Sequence, residues 1–382
     1  MAGQVIKRGD RAYLVRIFMG RDSNGKQRFH RKTIHGTKKD AEKYRNKIAT
    51  ERDLGTFVEP SLMGVDEYLD KWLEAAARPR LHERTFADYR ELLKRYVRPE
   101  LGSRKLSSVR ALDIQALYSG MQQRGLSART VRITHVVLSN ALRQAVRWGM
   151  ISVNHAQNAE LPKRARKEMT VMTLEEVNRF LEAAKADAHS LIFPFALATG
   201  MRPEEYLALQ WKDLDLINGK ATVQRTLCWR RAKGGGWYFG PPKTQHSRRT
   251  IPLPGSLLID VRRHKAQQAE RRLKCGSEYQ GWDLVFATAT GGPLHPDNLN
   301  ARNFKAACKR AEMSPKFSLY ILRHTCATLL LLAGVNPKIV AERLGHSSIA
   351  ITLDIYSHVL PSMQQIAADE LENMLFRKAV TQ

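Results

Sequence analysis

The chain has 382 residues, 43% of them hydrophobic, which is too long for one ordinary domain and apolar enough for real cores. Its 63 Lys and Arg against 37 Asp and Glu leave a formal net charge of +26. That excess is more than solubility requires and points to a polyanion, nucleic acid ahead of anionic membrane. No apolar run approaches the roughly 20 residues of a membrane span, and the N-terminus lacks a signal-peptide apolar region, so a membrane partner is not expected. The four cysteines, Cys228, Cys275, Cys308 and Cys326, have no Cys-x-x-Cys spacing. They read as reduced thiols of a cytoplasmic protein and offer no zinc knuckle.

The first 56 residues alternate apolar and polar over Ala12–Met19 and again over Lys26–Thr33, with Asp22-Ser-Asn24-Gly25 between them. Asn-Gly tolerates positive φ, so a hairpin is predicted, with a third short strand over Gln4–Lys7. Thr37 is placed to cap a polar helix, Lys38–Asp53, ended by Gly55. This stretch holds 15 Lys and Arg against 6 Asp and Glu. A small sheet carrying Arg16, Arg28 and Arg31 and backed by one helix could lay strands in a major groove. The plainer reading is a solvated basic surface.

After a linker, Thr56–Pro60, four helical patterns follow at Val65–Ala77, Arg84–Val97, Leu112–Arg124 and Ser127–Trp148. Their apolar positions recur at three and four, which predicts helices packed on each other. Tyr68, Trp72 and Tyr89 read as core, and Arg84, Arg90, Lys94, Arg95, Arg129 and Arg132 as phosphate contacts. Lys163, Arg164, Arg166 and Lys167 form a basic linker able to lie along a DNA backbone.

Beyond it, Thr173-Leu-Glu-Glu176 is a capping box opening a helix over Leu174–Ala184. A second helix over 192–198 breaks at Gly200, and Pro203 suits the first turn of the next, so Arg202 falls at a helix entry. Strands are expected over Ala221–Leu227 and Arg248–Leu253, with a glycine-rich hairpin region and Lys243 between them. Helices are expected over Leu257–Arg272, Asn298–Ala311 and Ser362–Phe376.

Several side chains here could make a reaction centre. Arg202 and Arg323 each offer a planar fork of donors to non-bridging phosphate oxygens. Lys243 could protonate a leaving 5′-oxygen, His346 could donate a hydrogen bond, and Tyr356 could attack phosphorus. Phosphoryl transfer is mostly positioning and charge stabilisation, so two guanidiniums can act where metal ions act elsewhere. No carboxylate cluster or His-x-x-x-His pattern suggests a metal or a cofactor. Glu205, one turn after Arg202, reads as its orienting partner. Taken singly, each residue also has a structural explanation, as a cap, a solvated lysine or a half-buried tyrosine.

Together, the segments Ala-Thr-Gly-Met-Arg202-Pro-Glu-Glu205, Pro-Lys243-Thr-Gln-His-Ser-Arg-Arg-Thr-Ile-Pro-Leu, Leu-Arg323-His-Thr-Cys-Ala-Thr and Leu-Gly-His346-Ser-Ser…Ile-Tyr356-Ser-His-Val resemble the signature boxes of the tyrosine recombinases in order, spacing and flanks. The resemblance implies that Arg202 and Arg323 bind the scissile phosphate, that Lys243 is the general acid, that His346 hydrogen-bonds the phosphate and that Tyr356 is the nucleophile. Glu205 stands at the family's acidic position after the first arginine. One position departs: three residues before Arg323 the family usually has histidine, and here stands Tyr320. A tyrosine with pKa ~10 is essentially a donor, whereas histidine can also accept a proton near neutrality. His324, about 100° away from Arg323 on a helix, reads as structural.

The fold class expected is α+β: a small N-terminal three-stranded sheet plus helix (1–56), an all-helical core-site-binding domain (61–160), and a mainly helical catalytic domain with a small antiparallel sheet (171–382). The basic start resembles the arm-binding domain of phage and conjugative-element integrases. The resemblance implies an integrase that joins attachment sites in double-stranded DNA through a covalent 3′-phosphotyrosine and integrates or excises a mobile element. It would act as a homotetramer in the nucleoid of a bacterial host, with an excisionase and a host DNA-bending protein as further partners. The apolar stripe Met363, Ile366, Ala367, Leu371, Met374, Leu375 could cover its own domain or dock on a neighbouring protomer. The alternatives are a resolvase or conjugative-transposon recombinase, a catalytically inactive DNA-binding regulator on the same fold, and a metal-dependent nuclease.

Overall fold

A computed structural model describes residues 3–55, 57, 59, 62–163, 170–230, 235–242, 244–356 and 363–375. The chain divides into two compact units, Met1–Arg166 and Lys167–Gln382.

The first unit begins with an antiparallel sheet, β1 (Gln4–Gly9), β2 (Ala12–Arg21) and β3 (Gln27–His35), in that order. The β2–β3 turn closes where expected, with Gly25 at φ +76° donating its N–H to the Asp22 carbonyl. Helix α1 (Lys38–Asp53) starts at Thr37, whose hydroxyl accepts from the Asp40 N–H while the Asp40 carboxylate accepts from the Thr37 N–H. These reciprocal bonds satisfy donors the first helical turn leaves open. The register pairs Val15 with Val5 and Ile17 with His30, placing these residues on the face that α1 covers. Arg16 pairs with Arg31 on the opposite face. A bulge between Phe18 and Gly20 then shifts the ladder.

Four helical stretches follow with a core of their own. They are α2 (Val65–Trp72, continued by a wider turn over Leu73–Ala77), α3 (Glu83–Leu92, continued over Leu93–Val97) with the short α4 (Arg98–Leu101), α5 (Ala111–Gln123) and α6 (Ala128–Arg147). Tyr68, Trp72, Leu93, Tyr118, Val131 and Leu138 are buried among them, and each fully buried large side chain contributes about 1.5–3 kcal/mol. The Tyr68 hydroxyl donates to the Ala141 carbonyl at 2.5 Å, which satisfies the one polar atom that side chain brings inside. The outward basic side chains of Arg84, Arg90, Lys94, Arg95 and Arg129 are exposed.

The second unit holds α7 (Leu174–Ala184), α8 (Ile192–Thr199), α9 (Pro203–Tyr206), strands β4 (Leu214–Asp215), β5 (Lys220–Val223), β6 (Thr226–Trp229), β7 (Trp237–Gly240) and β8 (Arg249–Pro252), then α10 (Gly255–Cys275), α11 (Pro296–Asn298), α12 (Lys305–Arg310), α13 (Tyr320–Leu332), α14 (Pro337–Leu344), α15 (Ile349–Tyr356) and α16 (Met363–Leu375). The single strand expected over Ala221–Leu227 is two. β5 joins a sheet of order β4-β5-β8, whereas β6 pairs with β7 as a separate hairpin. Between them Arg225, in phase with the buried Val223 and Leu227, forms an ion pair with the buried Asp213. A core of Phe180, Phe193, Phe195, Tyr206, Phe286 and Phe304 packs the helices around the small sheet. The exposed Leu371, Met374 and Leu375 lie on α16.

Candidate active site

Gly200 ends α8 with φ +64°, a left-handed cap that glycine adopts without steric penalty. The chain then passes through Arg202, which precedes α9 with Pro203 in the first turn as expected. A Cβ on Gly200 would lie 2.7 Å from Leu344 Cδ2 and 3.2 Å from Cys326 Sγ. The turn before Arg202 is therefore pressed against α13 and the end of α14. Arg323, buried on α13, donates from Nη1 to the Gly200 carbonyl at 2.7 Å. Two arginines far apart in sequence are thus anchored at one turn.

Glu205 organises the first of them. Arg202 Nη1 donates to Oε1 at 2.7 Å and the Arg202 N–H to Oε2 at 3.0 Å. Oε2 also accepts from Arg249 Nη2 at 2.9 Å. The Glu205 side chain is 1% exposed. Burial alone would raise its pKa. The charge and hydrogen bond of Arg249, followed by those of Arg202, outweigh burial and hold the carboxyl below its usual range.

His346 stands just past Gly345, the left-handed cap of α14 at φ +67°. Its N–H donates to the Ala341 carbonyl, and its Nδ1 lies 2.8 Å from Thr352 Oγ1 on α15. Burial, with the nearby charges of Arg323, Arg202 and Arg249, pushes its pKa down to about 4. The imidazole is neutral at pH 7 and faces the positive charge of both phosphate-clamp candidates. His324 is also lowered to about 4, by burial and then by Arg323.

Tyr320, 42% exposed at the start of α13, donates its hydroxyl to both carboxylate oxygens of Glu204, at 2.9 and 2.8 Å. Tyr356 is the last residue of α15, ten positions after His346. Its side chain and the whole of Lys243 lie outside the described residues. The structure thus brings together Arg202, Glu205, Arg323 and His346.

Two further contributors, Thr352 and Arg249, were not among the expected site residues. Thr352 is fully buried and holds the His346 ring. Arg249 on β8 turns its side chain inward in phase with the buried Ile251, while Thr250 and Pro252 face outward. Strand alternation would have shown it, because an arginine in phase with an inward isoleucine needs a partner inside.

Of the DNA-contact candidates, Arg16 and Arg31 share the uncovered face of the N-terminal sheet, where the Arg16 guanidinium lies 3.8 Å over the Phe29 ring. Arg28 follows the other phase of β3 and pairs with Glu59 at 3.2 Å. Lys163 is exposed, and Arg164, Arg166 and Lys167 lie outside the described residues.

A buried carboxylate holding one arginine, a second arginine on a neighbouring helix and a histidine one helix before a tyrosine are the residue types, in the order, that the sequence resemblance assigns to a tyrosine recombinase site. Residues 170–363 match the model of the phage integrase family, and residues 65–122 match the N-terminal SAM-like domain of phage integrases. The chain is 31% identical to a tyrosine recombinase XerC-like protein of Caldanaerobacter subterraneus subsp. tengcongensis, over 97% of this chain and 98% of that one. It is 25% identical to the ICEBs1 integrase of Bacillus subtilis, over 95% and 97%. Its fold matches the Tn1549 transposon integrase in complex with circular intermediate DNA, with a TM-score of 0.68 and 23% identity over 81% of this chain and 100% of that one. A lambda integrase tetramer bound to a Holliday junction matches with a TM-score of 0.57 and 19% identity over 92% and 94%. The chain belongs to the phage integrase family, as a site-specific recombinase of the tyrosine type.

Proposed function

We propose that this recombinase is the integrase of a mobile element, and that it works through the following assignment of residues. Arg202 and Arg323 bind the non-bridging oxygens of the scissile phosphate, and His346 donates to one of them from Nε2. Tyr356 loses its phenol proton to water and attacks phosphorus, the bond to the 5′-oxygen breaks, and Lys243 supplies the proton that the leaving oxygen takes. The 3′-phosphotyrosine keeps the energy of the broken bond, so a 5′-hydroxyl from a partner strand can reverse the step without another energy source. Charge developing on phosphorus is met by fixed guanidiniums in a partly buried site, where they act more strongly than in water.

The observation that carries this reading is the anchoring of two guanidiniums at one turn: Arg323 is fixed to the Gly200 carbonyl, and Arg202, two residues further on, is held by the buried Glu205.

The assembly follows from the same reading. Four protomers act on two attachment sites, the uncovered face of the N-terminal sheet contacts arm DNA through Arg16 and Arg31, and the helical bundle contacts the core site. An excisionase and a host DNA-bending protein set direction, and the protein acts on DNA in a bacterial cytoplasm. Among the described residues no helix is long and apolar enough to cross a membrane.

A nicked half-site duplex incubated with the protein in excess chelator tests the chemistry. A covalent protein–DNA adduct that disappears in Tyr356→Phe is expected. No adduct on cognate DNA, or an adduct that persists in Tyr356→Phe, overturns the assignment.

A further inference from the structure

Arg249 donates from all three of its guanidinium nitrogens. Its Nε donates to the Arg343 carbonyl at 2.6 Å, Nη1 to the Ser247 carbonyl at 2.9 Å and Nη2 to Glu205 Oε2 at 2.9 Å. The side chain is 8% exposed. A Cβ on Gly345 would lie 2.9 Å from Nη1 and 3.2 Å from Cζ, so the guanidinium rests directly against the turn that precedes His346. Three donor directions fixed by three acceptors on different segments leave this group one position. A lysine could supply the charge but could not match the fork.

We infer that Arg249 is a positioning residue of the recombination site, sharing the Glu205 carboxylate so that Arg202 meets the phosphate with its positive charge uncancelled. The inference rests on the reading of Arg202 as a phosphate-binding group. Arg202 and Glu205 alone form a neutral pair, and a buried carboxylate 2.7 Å from Nη1 competes with phosphate for the same guanidinium. With Arg249 on the other oxygen, the cluster carries one positive charge in excess. Glu205 can then orient Arg202 through Oε1 while its own charge is answered mainly from the far side. The order of influences on Glu205 agrees, since Arg249 acts on it more strongly than Arg202 does. The competing explanation is that Arg249 only neutralises a buried acid for stability, in which case the loss should appear in folding and not in the reaction.

A double-mutant cycle separates the two. Single-turnover cleavage of the nicked half-site, with protein in excess, is measured for the wild type, Arg249→Gln, Glu205→Gln, the double variant and Arg249→Lys, each with a thermal melt. Arg249→Gln is expected to cleave about ten- to a hundredfold more slowly, the range typical of outer partners that orient a charged site. Adding Glu205→Gln should recover most of that loss, because the unshared carboxylate is gone, and Arg249→Lys should fall between. Arg249→Gln within about twofold of wild type, or a double variant slower than Arg249→Gln, overturns the inference. If Arg249→Gln does not fold, the double variant is compared with Glu205→Gln: equal rates support the sharing role, and a further tenfold loss (about 1.4 kcal/mol) overturns it. A wild type that forms no adduct at all would instead overturn the recombinase assignment itself.

Discussion

Thr352 Oγ1 lies 2.8 Å from His346 Nδ1, and Thr352 is one helical turn before Tyr356 on α15. The bond ties the histidine to the backbone segment that presents the nucleophile. The proposed role of Nε2 as donor to phosphate requires the tautomer in which the threonine hydroxyl donates to Nδ1 and the ring proton sits on Nε2. Thr352→Val keeps the shape and removes the bond. Loss of a hydrogen bond in a buried site is worth about 1–3 kcal/mol, so cleavage should slow by about 5- to 150-fold, with Thr352→Ser restoring most of it. Adduct formation rates for the two variants check this.

The lowered histidines set a pH dependence. The unfolded chain takes up a proton on His346 near pH 6.5, whereas the folded chain does so only near 4. Across that window the unfolded state binds more protons, so stability falls as pH drops from about 6.5 towards 4 and is full above it. His324 acts in the same direction. The melting temperature of the wild type should therefore fall between pH 7 and pH 5, and His346→Gln should fall less by about 2 °C or more. Equal slopes for the two proteins would remove His346 as a source.

The N-terminal sheet separates its arginines. Arg16 and Arg31 share the uncovered face, while Arg28 is paired with Glu59. Removing one cation that neutralises a phosphate should reduce the slope of log affinity against log salt by about 0.9. Arg16→Ala and Arg31→Ala are expected to flatten that slope on arm-site DNA, and Arg28→Ala to change it less. Titrations at several salt concentrations report all three.

Tyr320 has one hydroxyl proton, and Glu204 takes it. Donation to phosphate would require that bond to open as DNA arrives. Tyr320→Phe should slow cleavage several-fold if the hydroxyl moves to the phosphate, and a rate unchanged within twofold would mean that the hydroxyl plays no part there, about 0.4 kcal/mol separating the two outcomes.

Much of the fold was legible because its signals are local. The Asn24-Gly25 turn, the Thr37 and Thr173 caps, the Gly200 break and the three-and-four spacing in α2 to α6 each lie within one element. The split of β5 from β6 was not, because it depends on β5 pairing with β8 and β6 with β7, partners that an alternating run does not name. The same holds in the site. Arg202, Arg323 and His346 could be named from their flanks, and Glu205 from its spacing. Thr352 acts through a ring on the preceding turn that only packing reveals, whereas Arg249 could have been found from its phase with the inward Ile251.

Gly200 carries no chemistry, yet two distant helices converge on it and the site's first arginine follows it: its carbonyl takes Arg323, its missing side chain admits Cys326 and Leu344, and its left-handed turn leads to Arg202. An L-residue there would add a left-handed backbone penalty of about 1–2 kcal/mol to the overlap with Leu344. In a lineage of mobile elements under selection for transposition, drift at this position should be as restricted as at the arginines themselves. A random screen for copies that still bind DNA but have stopped moving should recover Gly200 among its hits.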